Sequence, residues 1–182
     1  MNETSEPLEP FAALVDLASR SAEHALGLPA QSDIVPHWSG IGFSLGGQRF
    51  IAPMNEVAEI LAQPAATRLP GVRSWVRGVS NVRGRLLPLI DLESFFGDSL
   101  GVRKRRRVLA MERGDLYSGL IVSEVYGMQH IPVDSFTSQL PPGVEKYAAF
   151  LNGCYWHNEL SWSVFSLFKL TQNAEFYDAA LG

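Results

Sequence analysis

Between Pro10 and Leu26 the apolar side chains Phe11, Leu14, Val15, Ala18, Ala22, Ala25 and Leu26 recur at spacings of three and four, while Asp16, Arg20, Glu23 and His24 fall elsewhere. This period predicts an amphipathic helix. Proline suits its first turn, and Gly27 suits the position just past its end. The apolar stripe is expected to pack on the domain that follows, docking to a partner being the other reading. From Pro29 to His37 the period is lost and two prolines interrupt, so the stretch reads as a connector.

After Trp38 the period shortens to two. Ile41, Phe43 and Leu45 alternate with Gly42 and Ser44, Gly46-Gly47 suits a tight turn, and Arg49 to Ala52 returns as a partner strand. A second hairpin is expected from Val108 to Arg113 and Leu116 to Val122 around Gly114-Asp115. A third joins Phe150 to Trp156 with Leu160 to Phe165, and Tyr126 to Val133 adds a strand. Short helices are expected at Leu92 to Phe96, capped by Asp91, and at Leu167 to Thr171, capped by Ser166. Many short strands with few long helices predict an all-β barrel or sandwich.

The segment from Trp75 to Gly97 joins a polar turn to an apolar strand and then to a short helix. Asn81 and Gly84 suit a turn with unusual backbone angles, and Arg83 sits at its apex. The run from Arg85 to Leu92 is apolar enough to be expected inside, with Pro88 implying an edge strand or a bulge because proline donates nothing to a ladder. The guanidinium of Arg83 offers five donors in a rigid fork. It suits either the turn's own carbonyls or a carboxylate on an incoming helix.

Composition sets the outer limits. The chain has 182 residues, 46% of them hydrophobic, enough for one well-buried domain and a modest extension. No apolar run approaches the roughly 20 residues that a membrane-spanning helix needs, and the acidic N-terminus lacks the pattern of a secretory signal, so no membrane insertion and a cytoplasmic location are expected. One cysteine, Cys154, excludes an internal disulfide and any multi-cysteine zinc site. The formal charge of -4 argues against nucleic-acid binding. Five consecutive cations, Arg103 to Arg107, stand apart. Without them ten basic residues face nineteen acidic ones, so the run reads as a solvated loop ahead of a strand, or else as contact with an acidic partner surface.

Catalytic motifs are missing. There is no phosphate-binding loop, zinc-protease helix or nucleophile elbow, and the Gly40 to Leu45 stretch lacks the last glycine of a dinucleotide loop. His24, His37, His130 and His157 are scattered singly, which favours packing or surface roles over metal binding. Cys154 lies in an apolar strand and reads as a small core residue. Glu56 and Glu59 are near enough in sequence for an acid/base pair, but the strand expected from Val57 to Leu61 puts them on different faces.

Several of these features occur in the order found in one family. Glu56-Val57-Ala58-Glu59-Ile60, Leu69-Pro70-Gly71, Gly78 through Leu92, and Ser118-Gly119-Leu120-Ile121-Val122 with Glu124-Val125 resemble the successive motifs of CheW-like domains, the coupling proteins of bacterial chemosensory arrays. The likeness runs from about Ser39 to Gln172. The N-terminal helix, its Gly-Leu-Pro-Ala-Gln connector and the stretch from Pro36 to Phe43 resemble the PilI type, which serves type IV pilus twitching motility. Glu124 stands where an aspartate is common, Ser166 where an acid or asparagine is usual, and Gln139 to Tyr147 matches nothing recognisable.

The resemblance implies an all-β fold of two SH3-like five-stranded β-barrels, packed together with a third apolar core between them. It divides the chain into a helical extension and connector at 1–38, the CheW-like domain at 39–172 and a tail at 173–182. It implies an adaptor that is not an enzyme and needs no cofactor or metal. Its partners would be the cytoplasmic tip of a methyl-accepting chemoreceptor and the regulatory domain of a CheA-type histidine kinase. Val57, Glu59, Gly78, Asn81 and Arg83 match the receptor-binding surface, and Ser118 and Gly119 the kinase-binding one. A flagellar chemotaxis adaptor is the nearest alternative, and a small hydrolase with a dispersed site is the alternative from another class.

Overall fold

The computed structural model describes residues 10–24, 35–99 and 102–179. Helix α1 (Pro10–His24) forms over the predicted positions, with Asp16 and Arg20 paired one turn apart at 2.5 Å. Its apolar residues Phe11, Leu14, Val15 and Leu17 are exposed. The expected last turn to Leu26, Gly27 and the connector as far as Ile34 lie outside the described residues. The helix and the body from Val35 onward are separate compact units, each described by itself.

In the body, the three predicted hairpins form where the alternation placed them. Strand β1 (His37–Leu45) pairs with β2 (Gln48–Pro53), Leu45 facing Gln48 across Gly46-Gly47. After β3 (Glu59–Ala62), β4 (Val76–Val82) and β5 (Arg85–Asp91), the second hairpin joins β6 (Arg107–Arg113) to β7 (Leu116–Val122). Strand β8 (Glu124–Pro132) and the two-residue β9 (Phe136–Thr137) precede the third hairpin, β10 (Leu151–His157) with β11 (Leu160–Phe165).

Two sheets result, in the orders β8-β1-β2-β11-β10-β9 and β3-β6-β7-β5-β4. The outermost strands of the second are joined: Thr67, beyond β3, exchanges two backbone hydrogen bonds of 2.9 Å with Val79 of β4. That contact rolls five strands into a barrel. In the first sheet the outermost strands β8 and β9 are consecutive in the chain, separated only by a 3₁₀ turn at Val133–Ser135. They act as one bent stave, so this sheet also has five sides.

The two-residue period sorts side chains among three cores. Ile51, Ile131, Tyr155, Trp162 and Val164 fill the first barrel. Leu87, Leu89, Val108 and Ile121 fill the second. Their strand neighbours point the other way, Phe50 and Ala52 from β2 with Leu109, Met111, Leu120 and Val122 from β6 and β7, and meet in a larger core between the barrels. Cys154 is buried, and burial pushes its thiol up, as suits a packing residue.

Two expectations for β5 are corrected. Leu86 is 70% exposed, and the strand is buried only from Leu87 onward, because its first residues extend beyond the barrel wall. Strand β5 is also internal to its sheet, between β7 and β4, so Pro88 is not on an edge; the bulge, the other reading of Pro88, has its counterpart in the register shift of the β4–β5 ladder between Val76 and Gly78, beside the Val79–Pro88 pair. Pro88 is tolerated there because Val79 opposite turns its own N–H and C=O to Thr67. The ladder with β7 begins only at Leu89, so no partner needs the missing N–H.

Short helices tie the barrels together. In α2 (Leu92–Phe95) the fully buried Asp91 accepts from the Ser94 backbone at 2.9 Å, and Arg77 Nε donates to the same carboxylate at 2.9 Å. In α3 (Leu167–Leu170) Ser166 caps the first turn by accepting from Lys169 N. The buried Glu56 carboxylate accepts from the Ser166 hydroxyl at 2.9 Å and from Phe168 N at 3.1 Å, binding the end of β2 to the C-terminal helix. Glu56→Ala is expected to lower unfolding free energy by about 1–3 kcal/mol, read from urea denaturation, since the buried Ser166 hydroxyl and the partly buried Phe168 N–H lose their acceptor. An unchanged midpoint would disprove that role.

Residues 173–179, read from sequence as a tail, form the packed turn α4 (Ala174–Tyr177): Phe176 is buried, stacked on Trp75 and edge-on to Phe95. At the other side of the central core, Asp98 accepts from Lys146 Nζ and, at 2.9 Å, from the Tyr147 hydroxyl. The Lys146 ammonium in particular holds Asp98 below its ordinary value of 3.8. A folded pKa below the unfolded one contributes stability that is present above pH about 4 and lost as pH falls through the folded value. The advantage of the parent over Asp98→Asn in urea denaturation is therefore expected at neutral pH and should vanish in acid.

Candidate functional site

The turn between β4 and β5 is built by three adjoining residues. Val82 faces Arg85, leaving Arg83 and Gly84 as a two-residue loop with φ of 54° and 83°. Both angles are left-handed, the geometry of a type I′ hairpin turn. Asn81 Oδ1 accepts from Gly84 N at 2.8 Å and fixes the loop from one side. Arginine in this backbone region is uncommon, and it leaves the Arg83 side chain 78% exposed.

Arg83 reaches across the closure of the second barrel to Glu59 of β3, Nη2 to Oε1 at 2.6 Å. The fold thus brings together two residues matched from sequence to the same surface. Glu59 and Glu56 do point apart, Glu56 inward to α3 and Glu59 outward to Arg83. Asn81 is exposed on the same turn, and Val57, half-buried, packs against the core between the barrels. Gly78 is buried. A Cβ there would lie 2.1 Å from the Thr67 carbonyl oxygen, so this glycine permits the barrel's closing contact and offers a partner nothing directly.

The two kinase-side positions lie inside. Ser118 is 2% exposed, and a Cβ on Gly119 would meet Val108, Leu89 and Leu87 at 2.7–3.0 Å. Neither presents a side chain to a surface. They sit on β7, in the middle of the five-strand order, where small residues let the inward-facing leucines close up.

Sequence reading missed two neighbours. Leu86, directly opposite Asn81, adds an exposed apolar side chain to the turn. Arg85 makes a two-pronged contact with Glu112, at 2.9 and 3.2 Å, while its guanidinium lies 4.0 Å over the Tyr117 ring. The Arg85 hydrogen bonds hold Glu112 below its ordinary carboxylate value. An alternation count begun at the turn, instead of an average over the apolar run, places Leu86 outside.

Elsewhere, Arg103–Arg105 form a 3₁₀ turn, and Arg107 donates to the carbonyls of Lys104 and Arg106, so the basic run is a partly self-satisfied loop ahead of β6. Among the described residues no three His, Cys, Asp or Glu side chains are grouped to hold a metal, and no helix is long and apolar enough to cross a membrane.

Two curled sheets around a shared core, with an exposed charged turn at the closure of one barrel, define a β-barrel scaffold. Residues 39–175 match the CheW-like domain, and the chain belongs to that family. It is 52% identical to Protein PilI of Pseudomonas aeruginosa over 178 residues, 97% of this chain and 99% of that protein. It is 31% identical to Chemotaxis protein CheW of Helicobacter pylori over 62% of this chain and 68% of that one. The crystal structure of scaffolding protein TtCheW from Thermoanaerobacter tengcongensis superimposes with a TM-score of 0.63 at 26% identity, covering 72% of this chain and 90% of that one. The all-β fold and the family expected from the motifs are thereby established.

Proposed function

We propose that this chain is a non-enzymatic cytoplasmic adaptor that couples the cytoplasmic tip of a methyl-accepting chemoreceptor to the regulatory domain of a CheA-type histidine kinase, in the array controlling type IV pilus twitching motility. The observation that carries this reading is the Arg83–Glu59 pair on the outside of a closed barrel. So exposed a pair contributes only about 0–1 kcal/mol to folding, so its arginine is available to a carboxylate on an incoming helix. Asn81 and Leu86 beside it supply polar and apolar contact. Val57, Glu59, Asn81 and Arg83 form the receptor-side surface, with Gly78 behind it as its support.

The pilus assignment rests on likeness to Protein PilI along nearly the whole chain, extension included, whereas the chemotaxis relative from H. pylori matches a shorter stretch. An adaptor's advantage is geometric: two sites on one stiff body turn separate encounters into a joint one. Immobilised receptor tip is therefore expected to retain this protein, and with it the kinase regulatory domain, more strongly than it retains the kinase domain alone. Retention of neither partner would overturn the proposal. Turnover in a panel of nucleotide and ester substrates would favour a hydrolase instead.

A further inference from the structure

We propose that a surface cavity at the start of β4, remote from the Arg83 turn, binds a small organic phosphate. The cavity measures about 310 Å³, at the lower end of the roughly 300–1,000 Å³ typical of small-molecule sites. It lies between the segment ahead of β4 and the first residues of that strand. Val76 and Arg83 are seven positions apart on an extended chain, so about 20 Å separates it from the receptor-side turn.

Three arginines are among its lining residues, Arg68, Arg73 and Arg77. Arg77 is largely committed, because its Nε and Nη2 turn to the buried carboxylate of Asp91. Arg73 has a single exposed partner, Asp178 at 3.3 Å. Arg68 is exposed and has no hydrogen-bond or ion-pair partner among the described residues. Once a ligand displaces Asp178, Arg68 and Arg73 together offer two uncompensated positive charges. That matches a phosphomonoester dianion, whereas a lone carboxylate would neutralise only one of them. Ser74 lines the same space and carries a hydroxyl able to donate.

The remaining wall is aliphatic. Leu69, Val72 and Val76 line the cavity beside the arginines, giving an organic group a surface to cover while the phosphate faces the guanidinium groups. A ligand here would also compete with Asp178, which follows α4, and so act on how the C-terminal segment is held.

The test is a nuclear magnetic resonance titration of the full chain with phenyl phosphate, with inorganic phosphate and phenol as separate arms. Phenyl phosphate is expected to shift amides in residues 67–78 saturably and to bind about 10-fold more tightly than inorganic phosphate, with phenol inert. The Arg68→Ser, Arg73→Ser double variant should weaken binding by about 10-fold or more, consistent with lost charge-assisted hydrogen bonds, at an unchanged melting temperature. Arg68→Ser alone, removing an exposed side chain, checks the effect without touching Arg73. Absent shifts, shifts centred on the basic run at 103–107, or equal affinity of parent and double variant would overturn the site. Equal affinity for inorganic and phenyl phosphate would overturn the organic ligand.

Discussion

Arg83→Glu is expected to abolish retention by the receptor tip, weakening the dissociation constant by at least about 100-fold, while the protein melts within a few degrees of the parent. The expectation of an intact fold follows from geometry. The side chain is 78% exposed, its pairing with Glu59 contributes little to stability, and glutamate meets the same left-handed backbone that arginine already occupies. The expected loss of binding follows from charge, since the variant sets two carboxylates side by side where a partner's carboxylate was to be received. Arg83→Gly sharpens the contrast, because glycine relieves the left-handed backbone yet removes the guanidinium. It should bind more weakly than the parent, though less weakly than Arg83→Glu because it adds no second carboxylate, while remaining as stable as the parent. A natively folded Arg83→Glu protein that is captured undiminished would refute the receptor-side role, and loss of its thermal transition would assign Arg83 to bracing the turn.

Gly78→Ala should be the most damaging small substitution in the second barrel. Its backbone stands at φ 123°, and the added Cβ would fall 2.1 Å from the Thr67 carbonyl oxygen and 2.7 Å from the carbonyl carbon. Backbone strain and forced separation of packed main chain together predict a loss of roughly 3–5 kcal/mol. In a protein of this size that lowers the melting temperature by roughly 10 °C or more. The partner to move is backbone already committed to Val79, so relief means breaking the barrel's closing bridge. Gly84→Ala is the control: φ is 83°, but nothing lies within 4 Å of the added carbon, so about 1 kcal/mol is expected. Equal melting of the two variants would show that the Thr67 contact carries no strain.

Local features were legible because their causes are local. Alternating apolar positions and tight turn residues located all three hairpins, and Asp91 and Ser166 cap the helices that follow them. The motif order also pointed to the right family. What escaped was whatever depends on closure. The motifs matched Glu59 and Arg83 to one surface, but no local pattern announces their ion pair, since the strands carrying them are at opposite ends of the sheet order and meet only when the sheet rolls. Ser118, Gly119 and Gly78 carry family motifs, yet burial assigns them to packing. A motif records that a residue is required, without recording whether it is touched by a partner or by the protein's own interior. Phe176 was likewise invisible as a packed residue, its partners Trp75 and Phe95 lying 101 and 81 positions back along the chain and related to it by no period.

The course of the chain through the two barrels bears on how the protein is made. Strands β3 to β7 form the second barrel from one continuous stretch, whereas the first needs β1 and β2 from before it and β8 to β11 from after it. Phe50 and Ile51 of β2 wait for Ser163 and Val164 to arrive as their parallel neighbours. On a ribosome, the inner barrel can therefore assemble while the outer one is still half synthesised, its leading hairpin left with an open flank. Such a long-range parallel junction forms slowly and exposes adhesive backbone meanwhile, so the vulnerable interval of this scaffold lasts until Ser163 and Val164 reach β2.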